Sequence, residues 1–267
     1  MRERLNNEIR RYVREEPGNR FPGSDQRYFD DPLIGVVAAD DPLFQQYKQI
    51  IGPFHCTPHE FLPNGTSVIS WVLPITRPTR ESNRKQITKP SLEWAQTRSF
   101  GDDFIMELRR HLVSWLQQQG HQAVAPLLAP EYQRFVDTPV GLASSWSERH
   151  VAYAAGLGTF SLNDGLITPR GIAHRLGSVV TDLALEPTVT DRPHYQHNCL
   201  HYRNNSCRAC ITRCPADAIS SSGHDKKRCD AYLYTTLTLE LAGPYGTPIP
   251  GCGLCQTKVP CEQQIPR

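Results

Sequence analysis

The sequence predicts an α+β chain in two parts, a large α/β body followed by a small cysteine-rich module. Three observations carry that reading. Short β-branched apolar runs alternate with stretches of helical periodicity before the cysteines begin. Eight of the nine cysteines lie between Cys199 and Cys261, while the preceding 198 residues hold only Cys56. A chain of 267 residues has room for both parts, since domains usually run about 50 to 250 residues.

The elements follow in order. Residues 1–30 are polar and punctuated by Pro17, Gly18, Pro22 and Gly23, which predicts a short helix and an irregular N-terminal arm. LIGVVAA (33–39) and SVISWVL (67–73) have the composition of strands buried on both faces and are expected in one sheet. Phe104, Ile105, Leu108, Leu112, Trp115 and Leu116 recur at helical spacing, which predicts a helix from Asp102 or Asp103 to a stop at Gly120. QAVAPLL (122–128) reads as a strand, and 148–155 as a helix closed by Gly156. Gly156, Gly158, Gly165, Gly171 and Gly177 then punctuate a stretch ending in the strand-like LGSVVTDLAL; such glycines either admit a flat ligand or make turns. The chain turns polar over 187–205, which suggests a linker, and divides into 1–30, 31–190 and 191–267.

Bulk properties exclude several classes. No apolar run approaches the roughly 18 residues of a membrane helix. The N-terminus, MRERLNNEIRRYVREE, lacks the apolar stretch of a secretory signal, so the expected address is cytoplasmic. The net charge is +2 and the Lys and Arg residues are scattered, which gives no direct nucleic-acid signal.

Cys207-Arg-Ala-Cys210-Ile-Thr-Arg-Cys214-Pro215 matches the last three cysteines and the proline of the ferredoxin run C-x2-C-x2-C-x3-C-P, with Cys199 as a displaced first ligand. In that run the cysteine before proline serves the other cluster. A crossed arrangement therefore puts Cys199, Cys207, Cys210 and Cys261 on one [4Fe-4S] cluster and Cys214, Cys229, Cys252 and Cys255 on a second. Tetrahedral zinc also uses paired C-x2-C units and is the alternative. Residues 191–267 contain nine Lys or Arg against six Asp or Glu, unlike the acidic face of a free shuttle, so the module reads as an electron relay within the chain. Cys56 reads as a free or buried thiol.

With these cysteines, the segment Glu148-Arg149-x6-Gly156-Leu157-Gly158, Asn163, LGSVVTDL (176–183), Cys229-x2-Tyr232-Leu233 and Gly251-Cys252-x2-Cys255-Gln256, the chain resembles the epoxyqueuosine reductase and reductive dehalogenase superfamily. The resemblance implies a nitroreductase-like α/β domain beside a ferredoxin-like two-cluster domain. It also implies a base-off cobalamin that lacks a protein imidazole on cobalt, an external low-potential donor of ferredoxin or flavodoxin type, and a small organic or nucleoside-type substrate. Arg149, Gly156, Gly158, Asn163, and Gly177 and Ser178 of LGSVVTDL would then face the cofactor.

Two positions depart from the family pattern. The family's acid six residues before Glu-Arg is Leu142 here, with Asp137 in FVDTPVG the nearest candidate proton donor, and the Lys before the family's Asn is Leu162. Asp137 also reads as a turn residue beside Thr138 and Pro139, and Tyr153 as either a donor or a packed helix residue. Three functions stay open on sequence: a corrinoid-dependent iron-sulfur reductase, an electron-transfer or reactivating protein with no substrate of its own, and a flavin counterpart of the first.

Overall fold

The computed structural model describes residues 1–188 and 193–267; the expected boundary between 190 and 191 lies outside the described residues. Its central sheet is antiparallel, in the order β1-β2-β8-β3. β1 is Leu33–Ala38, β2 Ser67–Pro74 and β3 Ala123–Val124. Four two-residue strands, β4 (Arg134–Phe135), β5 (Ala143–Ser144), β6 (Thr159–Phe160) and β7 (Leu166–Ile167), form two small hairpins before β8, His174–Thr181.

β2 is buried along its whole length because both faces of the sheet are covered. Ile69, Trp71 and Leu73 point into one apolar layer, Val68 and Val72 into the other, as the period of two requires. The first layer is made by the helices Arg2–Glu15 and Leu92–Gln118. The second is made by Pro42–Ile50 and Glu148–Ala154.

The N-terminal segment packs on the body, with Leu5, Ile9, Val13, Phe21, Tyr28 and Phe29 buried in the same core as the long helix. Two expectations are corrected here. That helix begins eleven residues before Asp103, capped by the Ser91 hydroxyl, which accepts from Trp94 N at 3.2 Å. QAVAPLL yields only two strand residues, because Pro126 has no N–H for the ladder and opens a 3₁₀ turn.

A third, small core joins Leu162, Ile167 and Ile172 of the body to Ile219 and Val259 of the cysteine module, and Cys199, Cys210, Cys214, Cys255 and Cys261 pack with it. Cys229 lies in the helix Lys226–Asp230, from which the chain runs toward Cys252 through a π-helical stretch Ala231–Leu237 and the helix Thr238–Tyr245. Among the described residues no helix is long and apolar enough to cross a membrane.

Candidate functional site

The eight module cysteines separate into two sets. Cys199, Cys207, Cys210 and Cys261 line one small cavity together with Leu200, Val259 and Pro260. Cys214, Cys229, Cys252 and Cys255 line another, of about 360 Å³, which also reaches Arg149, Asn163 and His174. Cys261, near the C-terminal end of the module, thus lines the same cavity as Cys199, Cys207 and Cys210. No disulfide is present. Among the described residues, no three His, Cys, Asp or Glu side chains converge on a single-ion site.

Burial pushes these thiols up, and neighbouring sulfurs add to it: Cys210, Cys252 and Cys261 to about 12, Cys229 to about 11 and Cys255 well above its ordinary value. Such groups are poor free thiolates. A cationic iron core would offset the cost of ionising them, so the donor set fits two four-iron clusters.

The body positions the cysteine loops by specific bonds. Asn163 donates from Nδ2 to Cys255 O at 2.9 Å, and Asn83 from Nδ2 to Cys252 O at 3.3 Å. Arg213, beside Cys214, donates to the carbonyls of Leu254 and Thr257 on one side and Asn83 and Gln86 on the other. The segment carrying Cys261 is held by Glu262, 2% exposed, whose carboxylate lies 3.3 Å from Arg80 Nε and 2.7 Å from Arg84 Nε and accepts from Lys258 N. Ile172 N donates to Cys261 O at 2.8 Å. Sequence reasoning missed this clamp because Arg80 and Arg84 lie some 180 residues from Glu262 and belong to no motif.

A second, larger cavity of about 540 Å³ adjoins the first and shares Arg149 with it. Its walls include Tyr47, Tyr153, Phe160, Asp164 and Lys226, with Val140 and Leu142 at one side. Glu148 turns the other way and pairs with Arg109 at 2.9 Å, so the adjacent Glu-Arg residues serve opposite faces. Arg149 Nη1 donates to Asp164 O at 2.6 Å, and His224 Nδ1 lies 3.3 Å from Asp164 Oδ2. Burial pushes Asp164 up, but His224, Arg149 and Lys226 more than reverse this and hold it below the usual carboxylate range. The signal for Asp164 was its place in Asn-Asp-Gly, a turn that accepts its φ of 60°.

The other sequence-predicted residues are not brought to the cavities. Gly156 ends the helix Glu148–Ala154 at φ 74°, and Leu157 N closes back onto Ala152 O. A Cβ on Gly158 would strike Ile167 O, and one on Gly177 the Trp71 ring, so packing by itself accounts for the missing side chain at both positions. Ser178 accepts from Trp146 Nε1 at 2.9 Å in the core. Asp137 lies on the loop between β4 and β5, its side chain 84% exposed and 2.8 Å from Lys227 Nζ. Cys56 is half-buried beside Phe54 O, and burial pushes its thiol up.

A corrinoid needs a wide cleft with polar edges. The two cavities flank Arg149, and His174 Nδ1 and Gln256 Oε1, at the wall of the smaller one, are buried with no hydrogen-bond partner and would suit such a polar edge. Burial drives His174 down to about 4, so it faces the cavity as a neutral ring.

Burial likewise brings His55 to about 4 and His150 to about 3. The unfolded chain takes up these protons near pH 6.5, the folded chain only near or below 4, so the unfolded state binds more protons in between. Stability is therefore lost as pH falls from 6.5 toward 4. Anaerobic thermal melts should show Tm falling by at least about 5 °C between pH 7 and pH 5. His55→Gln should flatten that slope; an unchanged slope would show that His55 does not contribute.

No family model matches the chain. It is 29% identical over 221 residues to the epoxyqueuosine reductase of Vibrio cholerae, covering 80% of this chain and 55% of that protein. It therefore spans about half the length of the curated relatives it matches. In structure it resembles an epoxyqueuosine reductase of Bacillus subtilis, solved with its catalytic aspartate loop swung out of the active site. The TM-score is 0.57 at 21% identity, with 99% of this chain and 67% of that chain covered. It also resembles a reductive dehalogenase whose structure suggests a mechanism for B12-dependent dehalogenation, with TM-score 0.50, 17% identity, and coverage of 88% and 30%. These matches define the class as a mixed α/β fold shared with B12-dependent and epoxyqueuosine reductases. In sequence the chain is similar to curated epoxyqueuosine reductases, and in fold it is similar to both epoxyqueuosine reductases and the reductive dehalogenase.

Proposed function

We propose that the chain is a corrinoid-dependent iron-sulfur reductase. In this reading Cys199, Cys207, Cys210 and Cys261 hold one [4Fe-4S] cluster, and Cys214, Cys229, Cys252 and Cys255 a second. A base-off cobalamin sits in the adjoining cavities of a nitroreductase-like domain (31–190), beside a ferredoxin-like domain (191–267). The observation that carries the reading is that the second four-cysteine cavity and the larger cavity lie on either side of one residue, Arg149, which lines both.

When bound, the corrinoid supplies a metal centre able to take low-potential electrons and reduce a carbon-heteroatom bond. The chain's own residues do the rest. Asn163, committed to Cys255 O, holds the second ligand loop against the cavity wall. Arg149 sets a cation at the junction of the two spaces, while Tyr153 and Phe160 keep the wall apolar. Asp137 is the proton donor of this reading. Its loop contributes Val140 and Leu142 to the cavity, so a swing that breaks the Lys227 pair would carry the carboxyl inward. A swung-out aspartate loop in the Bacillus subtilis relative supports this.

The exposed position of Asp137 also favours a second reading, in which the chain reduces a partner's cofactor and has no substrate of its own. Anaerobic reconstitution followed by cobalamin addition separates the two. The expected result is about eight iron and eight sulfide per chain, then a tightly bound corrinoid with a base-off cobalt(II) paramagnetic signal after gel filtration. Stoichiometric zinc without sulfide would end the cluster reading, and clusters without bound corrinoid would leave the electron-transfer reading.

A further inference from the structure

We propose that the basic surface over Cys199, Cys207 and Cys210 is the docking face for an acidic one-electron carrier of flavodoxin type. The inference rests on the cluster reading above and names where its electron donor lands. The second cysteine set lines the cavity that reaches Arg149, whereas the first lines a smaller one with Leu200, His201, Pro260 and Pro266 that meets the others at Ser161 and Asn163 and does not reach Arg149. An electron bound for the cleft thus passes from the first set to the second. The surface that matters is the one built by 200–208 and 258–267.

Its charge is one-sided. From Pro193 to Arg213 there is no Asp or Glu. Arg203 and Arg208 are exposed on either side of Cys207, and Arg267 is exposed on the adjoining segment. Arg203 Nη2 reaches Pro266 O at 3.5 Å, which joins the two segments into one face. The only acid in 258–267, Glu262, is buried and saturated by Arg80 and Arg84. Among the described residues no carboxylate lies within ion-pair distance of Arg203, Arg208 or Arg267, whereas Arg11, Arg14, Arg77, Lys89 and Arg110 each have one.

Apolar surface, which a docking face also needs, is supplied by Ile265, 37% exposed, and by Tyr202, 40% exposed, which also lines the larger cavity. Uncompensated cations around a redox centre steer an oppositely charged partner, with a rate that falls as salt screens the attraction. At contact one electron leaves the flavodoxin hydroquinone and enters the oxidised cluster, leaving the semiquinone and a reduced cluster, with no other bond changed.

The competing explanation is that the same arginines only tune the cluster potential. Stopped-flow reduction of the reconstituted chain separates the two, with flavodoxin hydroquinone as one reductant and photoreduced deazaflavin as a small neutral control. In the Arg203→Glu/Arg208→Glu double variant the second-order rate with flavodoxin should fall at least tenfold at low ionic strength. Its salt dependence should flatten, while the deazaflavin rate and the midpoint potential stay as in the parent. Arg4→Glu, on the N-terminal helix, should leave the flavodoxin rate within a factor of two. An unchanged flavodoxin rate in the double variant, or an equal loss with both reductants, overturns the docking face. Failure of the parent to show any iron-sulfur spectrum would instead overturn the cluster reading beneath it.

Discussion

Replacing Cys261 with alanine is expected to cut iron from about eight to about four per chain and leave one cluster, on Cys214, Cys229, Cys252 and Cys255. The reason lies in how the C-terminal segment is delivered. Cys261 lines the cavity of Cys199, Cys207 and Cys210, although 50 residues separate it from Cys210. Its backbone is fixed independently of the sulfur, by Ile172 N on Cys261 O and by the pairing of Glu262 with Arg80 and Arg84. The substitution therefore removes a ligand without releasing the segment, and the second set keeps its own anchors at Asn83, Asn163 and Arg213. Iron and sulfide analysis with electron paramagnetic resonance on the reduced protein reads the outcome. Loss of the signal from the Cys252 and Cys255 set, with the other retained, would refute the crossed grouping.

Several features were legible in the sequence for a local reason. β1 and β2 announce themselves because strands buried on both faces are rich in apolar residues, and Cys207-x2-Cys210-x3-Cys214-Pro215 stands out because its spacing is a local pattern. What was misread depends on distant partners. Gly101-Asp102-Asp103 has the composition of a helix start, yet Gly101 lies inside the helix because the Phe29 ring occupies the place of its side chain. Asp102 pairs with Arg98 and Arg175 instead of capping. The glycines at 158 and 177 suggested a ligand because sequence shows only that a side chain is missing, while Ile167 and Trp71, which fill the gaps, arrive through tertiary packing. For Asp137 the sequence offers an acid near the motif position, which is Leu142, but not the side of the loop on which the carboxyl lies.

The complementary loss is expected from Gly253→Ala, which should remove the second cluster and spare the first. Gly253 sits between Cys252 and Cys255 with φ 64°, a left-handed conformation that costs an alanine roughly 1–2 kcal/mol. The larger effect is steric. A Cβ at 253 would fall within the indole of Trp94, which is 2% exposed in the first turn of the long helix and has no room to withdraw. The loop must then lift. In lifting it loses the bonds from Gln256 N and the Thr257 hydroxyl to Gly253 O, which hold the turn between the two cysteines. Iron should fall from about eight to about four, with the surviving signal belonging to the Cys199 set. Adding Trp94→Ala removes the collision but not the left-handed strain, and costs about 3–5 kcal/mol for the lost indole. The double variant should thus regain most of the second cluster at a lower Tm than the parent. Two intact clusters in Gly253→Ala alone would show that Trp94 does not fix this ligand loop.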